Sequence, residues 1–539
     1  MVGKSLFKLI PYLNRDKVDN RILYLNEKIL FPLAGFIFFG NILFISNTFL
    51  PIDNLIVNLI VILLILPALT EIKNFKNYLN FKIFTFKFLF YYLIIPSILV
   101  ISTFDIGYNY DAGFYHLLHQ NWLRNSNLII GMVNIFWPFG MSSIYEYVSA
   151  FLWFDTSFVL LHFMNLFFIH FFYLFLIENL VESKNKYLIN SSFFVLIFSL
   201  LDNFGYGGGR NGFLYIQGVT KQDVTVGILF FFLSLIMLLK IKDLNITNQE
   251  LVLLSFVLFF MYQIKVSGVL IVYLYVILLV NQILKKRHTI FDIIKLNLPV
   301  LTLAFIWVLK SIYTTGCVIY PVNFTCLDIF DWYINGSTKS FEGITKHASL
   351  AYDGSIPFLE WVQTSGSFEY RNQVFSNFLI SIFILLLIKL VLFKKSDVSN
   401  AHKFFALSFI FFSILYFVYF GPIPRYAVGI CLFSAGFFGL ISSEKSFRIS
   451  NNFAYVLVFV SVLLLVRSTA YSGLLANNEI KLFDPRTNYE INYEIGFEQL
   501  NEDWVAPLDR DQCWANIKCT ASRSIIEFKQ IGIFKIAYK

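Results

Sequence analysis

The chain has 539 residues, 57% of them hydrophobic and only 14% charged, with 65 phenylalanines and a formal net charge of +8. Its mean hydropathy of +0.68 lies well outside the range of soluble domains. The positive charge does not gather in one patch, which argues against nucleic acid as a partner.

Crossing a bilayer takes about 20 largely apolar residues. Such runs recur at 29–49, 53–70, 85–104, 156–178, 187–202, 224–240, 249–263, 266–284, 293–312, 374–393, 402–420, 426–442 and 452–470. Backbone groups in lipid must be satisfied within the segment, so these runs are expected to be helices. They are also longer than the alternating strands of an outer-membrane barrel. The expected fold class is an all-α integral membrane protein with about thirteen transmembrane helices. Residues 1–470 are read as one polytopic domain and 471–539 as a tail. The first 28 residues are basic and polar and no small-residue cleavage site follows the first run, so no cleavable signal peptide is expected.

Lys and Arg cluster in alternate gaps between the runs. They occur at Lys4, Lys8, Arg15, Lys17, Arg21 and Lys28, then at Lys73, Lys76 and Lys82, then at Lys184 and Lys186. The series continues at Lys240 and Lys242, at Lys285, Lys286 and Arg287, at Lys394, Lys395 and Lys403, and at Lys445 and Arg448. Cytoplasmic loops carry this excess, which places the N-terminus inside and the tail outside. The longer polar segments 104–141, 203–223 and 313–373 then all lie on the extracytoplasmic face, together with the tail. They are rich in Trp, Tyr, Gly and Phe, which favours an ordered layer over disorder. Cysteine usage agrees with that side: Cys317 and Cys326 form one close pair and Cys513 and Cys519 another. Disulfides persist outside the cytoplasm, and loops so short restrict the unfolded chain by about 2 kcal/mol each. Free thiols and zinc are the alternatives, although neither pair has CxxC spacing or an adjacent His. Cys431 lies within a run and is read as a buried apolar residue.

The stretch YDAGFYHLLHQNW, residues 110–122, concentrates polar chemistry just beyond the third run. If it is helical, His119 and Tyr115 fall nearer the face of Asp111 than His116 does. Two readings stand. One is an interfacial helix with Tyr108, Tyr110, Tyr115 and Trp122 as aromatic belt and Asp111 as N-cap. The other is a reactive site. HxxH with one carboxylate is a weak metal signature.

Together with the outer segment GCVIYPVNFTC, with PRYAVG and with the tail's DQCWANIKC, this layout resembles the GT-C superfamily of polytopic glycosyltransferases. Within it, the chain looks like bacterial membrane proteins of GT-C type. The resemblance implies a polyprenyl-phosphate sugar donor, a glycan, lipid or protein acceptor, and a bacterial cell membrane, with a role in cell-envelope glycan assembly. It also implies that Asp111 is the general base. Asp111 follows the third run, whereas the superfamily usually carries its acid after the first, so an extra N-terminal hairpin is required. It also lacks the second acid of many members, and no cofactor or metal is expected.

Transfer from a lipid phosphate needs a base for the acceptor proton and cations for the leaving phosphate. Gly207-Gly208-Gly209-Arg210, followed by Lys221 and Asp223, offers exposed amides and two cations; its alternative is a flexible turn with snorkelling side chains. Arg425 opens the twelfth run from outside, as a phosphate partner or an interfacial anchor. Lys265 occupies a short outer turn, where a cation needs pairing or solvent. His116 and His119 complete the candidate substrate-binding set. Trp137, Trp332, Trp361 and Trp504 are sugar platforms or anchors. No nucleotide phosphate loop and no nucleophile elbow occur. The alternatives to a glycosyltransferase are a transporter or flippase of lipid-linked glycans, an O-antigen-type polymerase, and a non-catalytic relative.

Overall fold

The computed structural model describes residues 2–9, 22–69, 85–105, 108, 110–153, 158–204, 212–243, 246–352, 354–365, 369–393, 398–442, 449–474, 496–508 and 511–539. Among them ten helices are long and apolar enough to cross a membrane. Further apolar helices stand at Leu55–Leu69, Asn248–Ile264 and Asn451–Leu474. Every predicted run therefore coincides with a helix, and the chain is a multi-pass membrane protein.

The Asp223–Asp243 helix is apolar all round and buried along its length, which makes it the centre of the bundle. Small residues let neighbours close on it. A Cβ at Gly227 would meet Val428 at 2.6 Å, and one at Gly429 would meet Phe230 at 2.7 Å. Such contacts hold helices together where lipid removes the hydrophobic drive. They also fix the start of the Val428–Ile441 helix beside Asp223. Peripheral helices show the opposite pattern, with Phe305, Phe383, Phe404 and Phe411 exposed. In a bilayer those rings face acyl chains.

The two ends of the bundle are held by different groups. At one end Lys240 pairs with Glu250 at 2.7 and 2.8 Å, and the same carboxylate accepts from the backbone of Leu23. His288 meets Asn248 there, and Asn190 reaches the carbonyl of Ser442. These are the gaps read as basic. At the other end Arg124 pairs with Asp53, and Gly131 donates to the carbonyl of Tyr313.

At that second end the predicted outer segments build a polar layer that includes β-structure, which departs from a purely helical expectation. Strand β1 (Ile129–Ile130) pairs in parallel with β5 (Phe534–Tyr538), which pairs antiparallel with β4 (Glu527–Ile531). Strands β2 (Phe497–Gln499) and β3 (Val505–Pro507) form a separate antiparallel pair. Two short disulfides staple the layer, Cys317–Cys326 and Cys513–Cys519, while Cys431 is free and buried. Trp332 and Trp504 are core residues of this layer. Their burial rules them out as exposed sugar platforms.

Candidate functional site

Asp111 precedes a single π turn, Ala112–His116, which runs into the helix Leu117–Asn125. One extra residue per turn shifts the side chains that follow, and such insertions recur at functional sites. Asp111 has φ −62° and ψ −24° and makes no side-chain cap hydrogen bond, so it does not serve as the N-cap. Its carboxylate instead takes the Lys221 ammonium.

The glycine of the motif has a steric reason. A Cβ at Gly113 would meet Gln512 Oε1 at 2.1 Å and the Trp514 ring at 2.7 Å. The Trp514 amide donates to Gly113 O at 2.8 Å, and Gln512 Nε2 donates to Tyr110 O at 3.0 Å. The tail's DQCWANIKC thus lies on YDAGFYH, held there by the Cys513–Cys519 loop. Trp122 is buried beneath the tail's Trp504 and Phe528 and is not part of an interfacial belt.

Lys221 is positioned by its own loop. Asp202 accepts from the amides of Phe213 and Leu214 at 3.0 and 2.9 Å, which anchors the loop's start. A bridge between Tyr108 and Val219 then joins the loop to the chain entering the motif. Thr220 is held at φ 73°, a costly conformation for a β-branched residue, immediately before Lys221.

Asp223 collects two more cations from two other segments. Lys265, which ends the Asn248–Ile264 helix, pairs with Asp223 Oδ1. Arg425, in the turn Pro424–Ala427, brings Nε to 3.4 Å of Asp223 Oδ2. That approach is not a hydrogen bond, and Arg425 Nε has no acceptor among the described residues. Lys265 also lies 3.9 Å from the centroid of the Tyr426 ring. Three cations stand against two carboxylates. Burial would raise the carboxyl of Asp111, but Lys221 above all, with His116 and Arg425, holds it below the ordinary carboxylate range.

Exposure divides the cluster into front and back. The side chains of Asp111, Lys265 and Arg425 are 32%, 33% and 33% exposed, whereas Lys221 and Asp223 are 10% and 4%. One carboxylate and two cations can therefore meet a ligand directly. The other two groups hold them.

Behind the motif Glu146 joins the two imidazoles. His116 Nδ1 lies 2.5 Å from Glu146 Oε1, His119 Nδ1 lies 3.9 Å from Oε2, and Gln120 donates to Oε2 at 2.8 Å. Burial would raise the Glu146 carboxyl, but His116 chiefly, helped by His119, carries it down to about 2. Burial lowers His119 against the pull of Glu146. Burial, reinforced by Asp111 and Glu146, pushes the Tyr115 hydroxyl well up. His119 stacks on Phe139 with ring centroids 5.2 Å apart, and its Nδ1 faces Glu146. Both Tyr115 and His116 thus interact with Asp111.

Asp111, His116, Lys221, Lys265 and Arg425 thus belong to one connected site, with His119 behind it. Arg210 and the three glycines before it lie outside the described residues. Glu146, Tyr426 and Lys310 escaped the sequence reading. Lys310 carried a usable signal, since an ionisable residue inside an apolar run needs a partner or a purpose. Among the described residues no cluster of His, Cys, Asp and Glu could hold a metal ion.

A family model described as "Domain of unknown function (DUF8201)" matches residues 18–432, a stretch that includes Asp111, Lys221, Lys265 and Arg425. No curated protein and no solved structure matches the chain.

Proposed function

The chain belongs to the DUF8201 family, and we propose that it is a membrane glycosyltransferase of GT-C type, working on the extracytoplasmic face with a polyprenyl-phosphate-linked sugar. One observation carries this reading. Asp111, Lys265 and Arg425, from three distant segments, come together as an accessible base and two accessible cations.

In the proposed reaction an acceptor hydroxyl oxygen attacks the anomeric carbon while the bond from that carbon to the phosphate oxygen breaks. The acceptor proton passes to Asp111. The bonding pair leaves with the polyprenyl phosphate, which gains one negative charge, and Arg425 and Lys265 stabilise it. A carboxylate held low is always deprotonated but is a weak base. A phosphate that draws cationic charge away from Asp111 would raise its basicity as the donor binds. The assignment of this end of the bundle to the outside rests on the Lys and Arg alternation and on the two disulfides, and that of the membrane to a bacterial cell on the resemblance to GT-C enzymes.

Binding of polyprenyl phosphate to the purified protein, measured by native mass spectrometry, tests the cation arm. Arg425→Ala and Lys265→Ala should each weaken it by about tenfold or more, and Asp111→Asn should not weaken it. Equal binding by all variants would contradict a phosphate site here.

A further inference from the structure

We propose that a small pocket lined by Lys310, Trp122 and His119 is a binding site for a monovalent anion of halide size. The space open to a guest the size of water is about 10 Å³, close to what one small occupant needs. A phosphate or a sugar cannot enter it.

The lining is largely apolar but includes three donors. Lys310 belongs to the Ile290–Thr315 helix and is only 7% exposed. Its ammonium lies 4.9 Å from the Trp307 ring centroid and 6.0 Å from that of Tyr147. Among the described residues no carboxylate pairs with it, and none of the described lining residues is Asp or Glu. Aromatic faces return about 2 kcal/mol to a desolvated cation, less than the several kcal/mol that burying it takes. Burial of such a group within a membrane helix is offset either by a counter-charge or by loss of its proton. Trp122 supplies a second donor, because its buried indole N–H has no acceptor among the described residues. The hydroxyl of Ser142 is a third lining group. Asn47 and Asn127 spend their amide donors on backbone carbonyls, at Leu50, Leu123 and Ser126 for the first and Ile533 for the second. Their oxygens would suit a water molecule, which is the competing occupant.

This site is separate from the Asp111 cluster and does not rest on the proposed transfer reaction. Its occupant would link Lys310 to His119, whose other partner is Glu146.

The test uses the full-length purified protein in detergent, with sodium chloride exchanged for sodium gluconate at constant ionic strength. Chloride and bromide should raise the thermal midpoint saturably, and gluconate should not. Trp122→Phe should raise the half-saturating chloride concentration by about tenfold, the scale of one lost hydrogen bond to a charge. Lys310→Met should abolish the halide dependence. A bromide-soaked crystal should show anomalous density beside Lys310 Nζ. Equal midpoints in chloride and gluconate, halide dependence surviving in Lys310→Met, or a bromide-free cavity holding water would each overturn the site. The wild-type salt exchange and the bromide crystal decide the matter even if a variant fails to fold.

Discussion

Lys221 and Asp111 form an ion pair across 110 residues of sequence, and the residue before Lys221 is held at φ 73°. Strain of this kind persists only where the surroundings impose it. Here they do, because Asp202 anchors one end of the loop and the Tyr108–Val219 bridge anchors the other. The loop therefore presents one cation to one carboxylate. That carboxylate remains about one third exposed while its partner is buried.

The docking of the tail depends on the absence of a side chain at Gly113. Gly113→Ala forces a methyl group into Gln512 and Trp514, an overpacking expected to cost about 1–3 kcal/mol. Hydrogen exchange should report it as lost protection at the Trp514 amide, which donates to Gly113 O. Unchanged protection there would mean that the tail does not lie on the motif.

Glu146 provides a pH dependence with a definite sign. Its carboxyl is lowered from 4.5 to about 2 in the folded protein. A depressed carboxyl contributes stability that is present above the unfolded value and is lost as pH falls through the folded one. The stability advantage of wild type over Glu146→Gln should thus be full above pH 4.5 and shrink towards pH 2. Chemical unfolding across that window measures it. An advantage that grows on acidification would contradict the ion pairing with His116.

Sidedness follows from the basic gaps. Cysteines placed at the exposed positions Ser355 and Lys529 should react with an impermeant thiol reagent applied to intact cells. Cysteines at the exposed positions Lys285 and Lys286 should react only after the membrane is opened. The reverse pattern would put Asp111 on the cytoplasmic face and remove the proposed chemistry.

The spans were legible because hydropathy accumulates over twenty neighbouring residues, and each of the thirteen runs met a helix. The Asn248–Ile264 helix, with 17 residues, falls short of the full crossing length. Individual cations such as Lys265 and Arg425 were legible because charges are scarce at the ends of apolar runs. Their common partner was not. Asp223 meets Lys265 from 42 residues away, and nothing local in the chain announces that pairing. The π turn was invisible because a single inserted residue leaves no periodic trace. Lys310 was passed over inside the run 293–312, and Glu146 between the outer segment 104–141 and the next run. The sheet of the tail could not be read either, since β1 offers two residues and its partner strand lies some four hundred residues away.

The most direct test of the account is the substitution Asp111→Asn, assayed for surface glycan in a deletion strain and for transfer with lipid extracts. The change preserves size and shape, so expression and membrane insertion should be normal. Transfer should fall by about 100-fold or more, the scale of a lost general base, while polyprenyl-phosphate binding persists. A folded Asp111→Asn protein that restores normal surface glycan would contradict the assignment of Asp111 as the base.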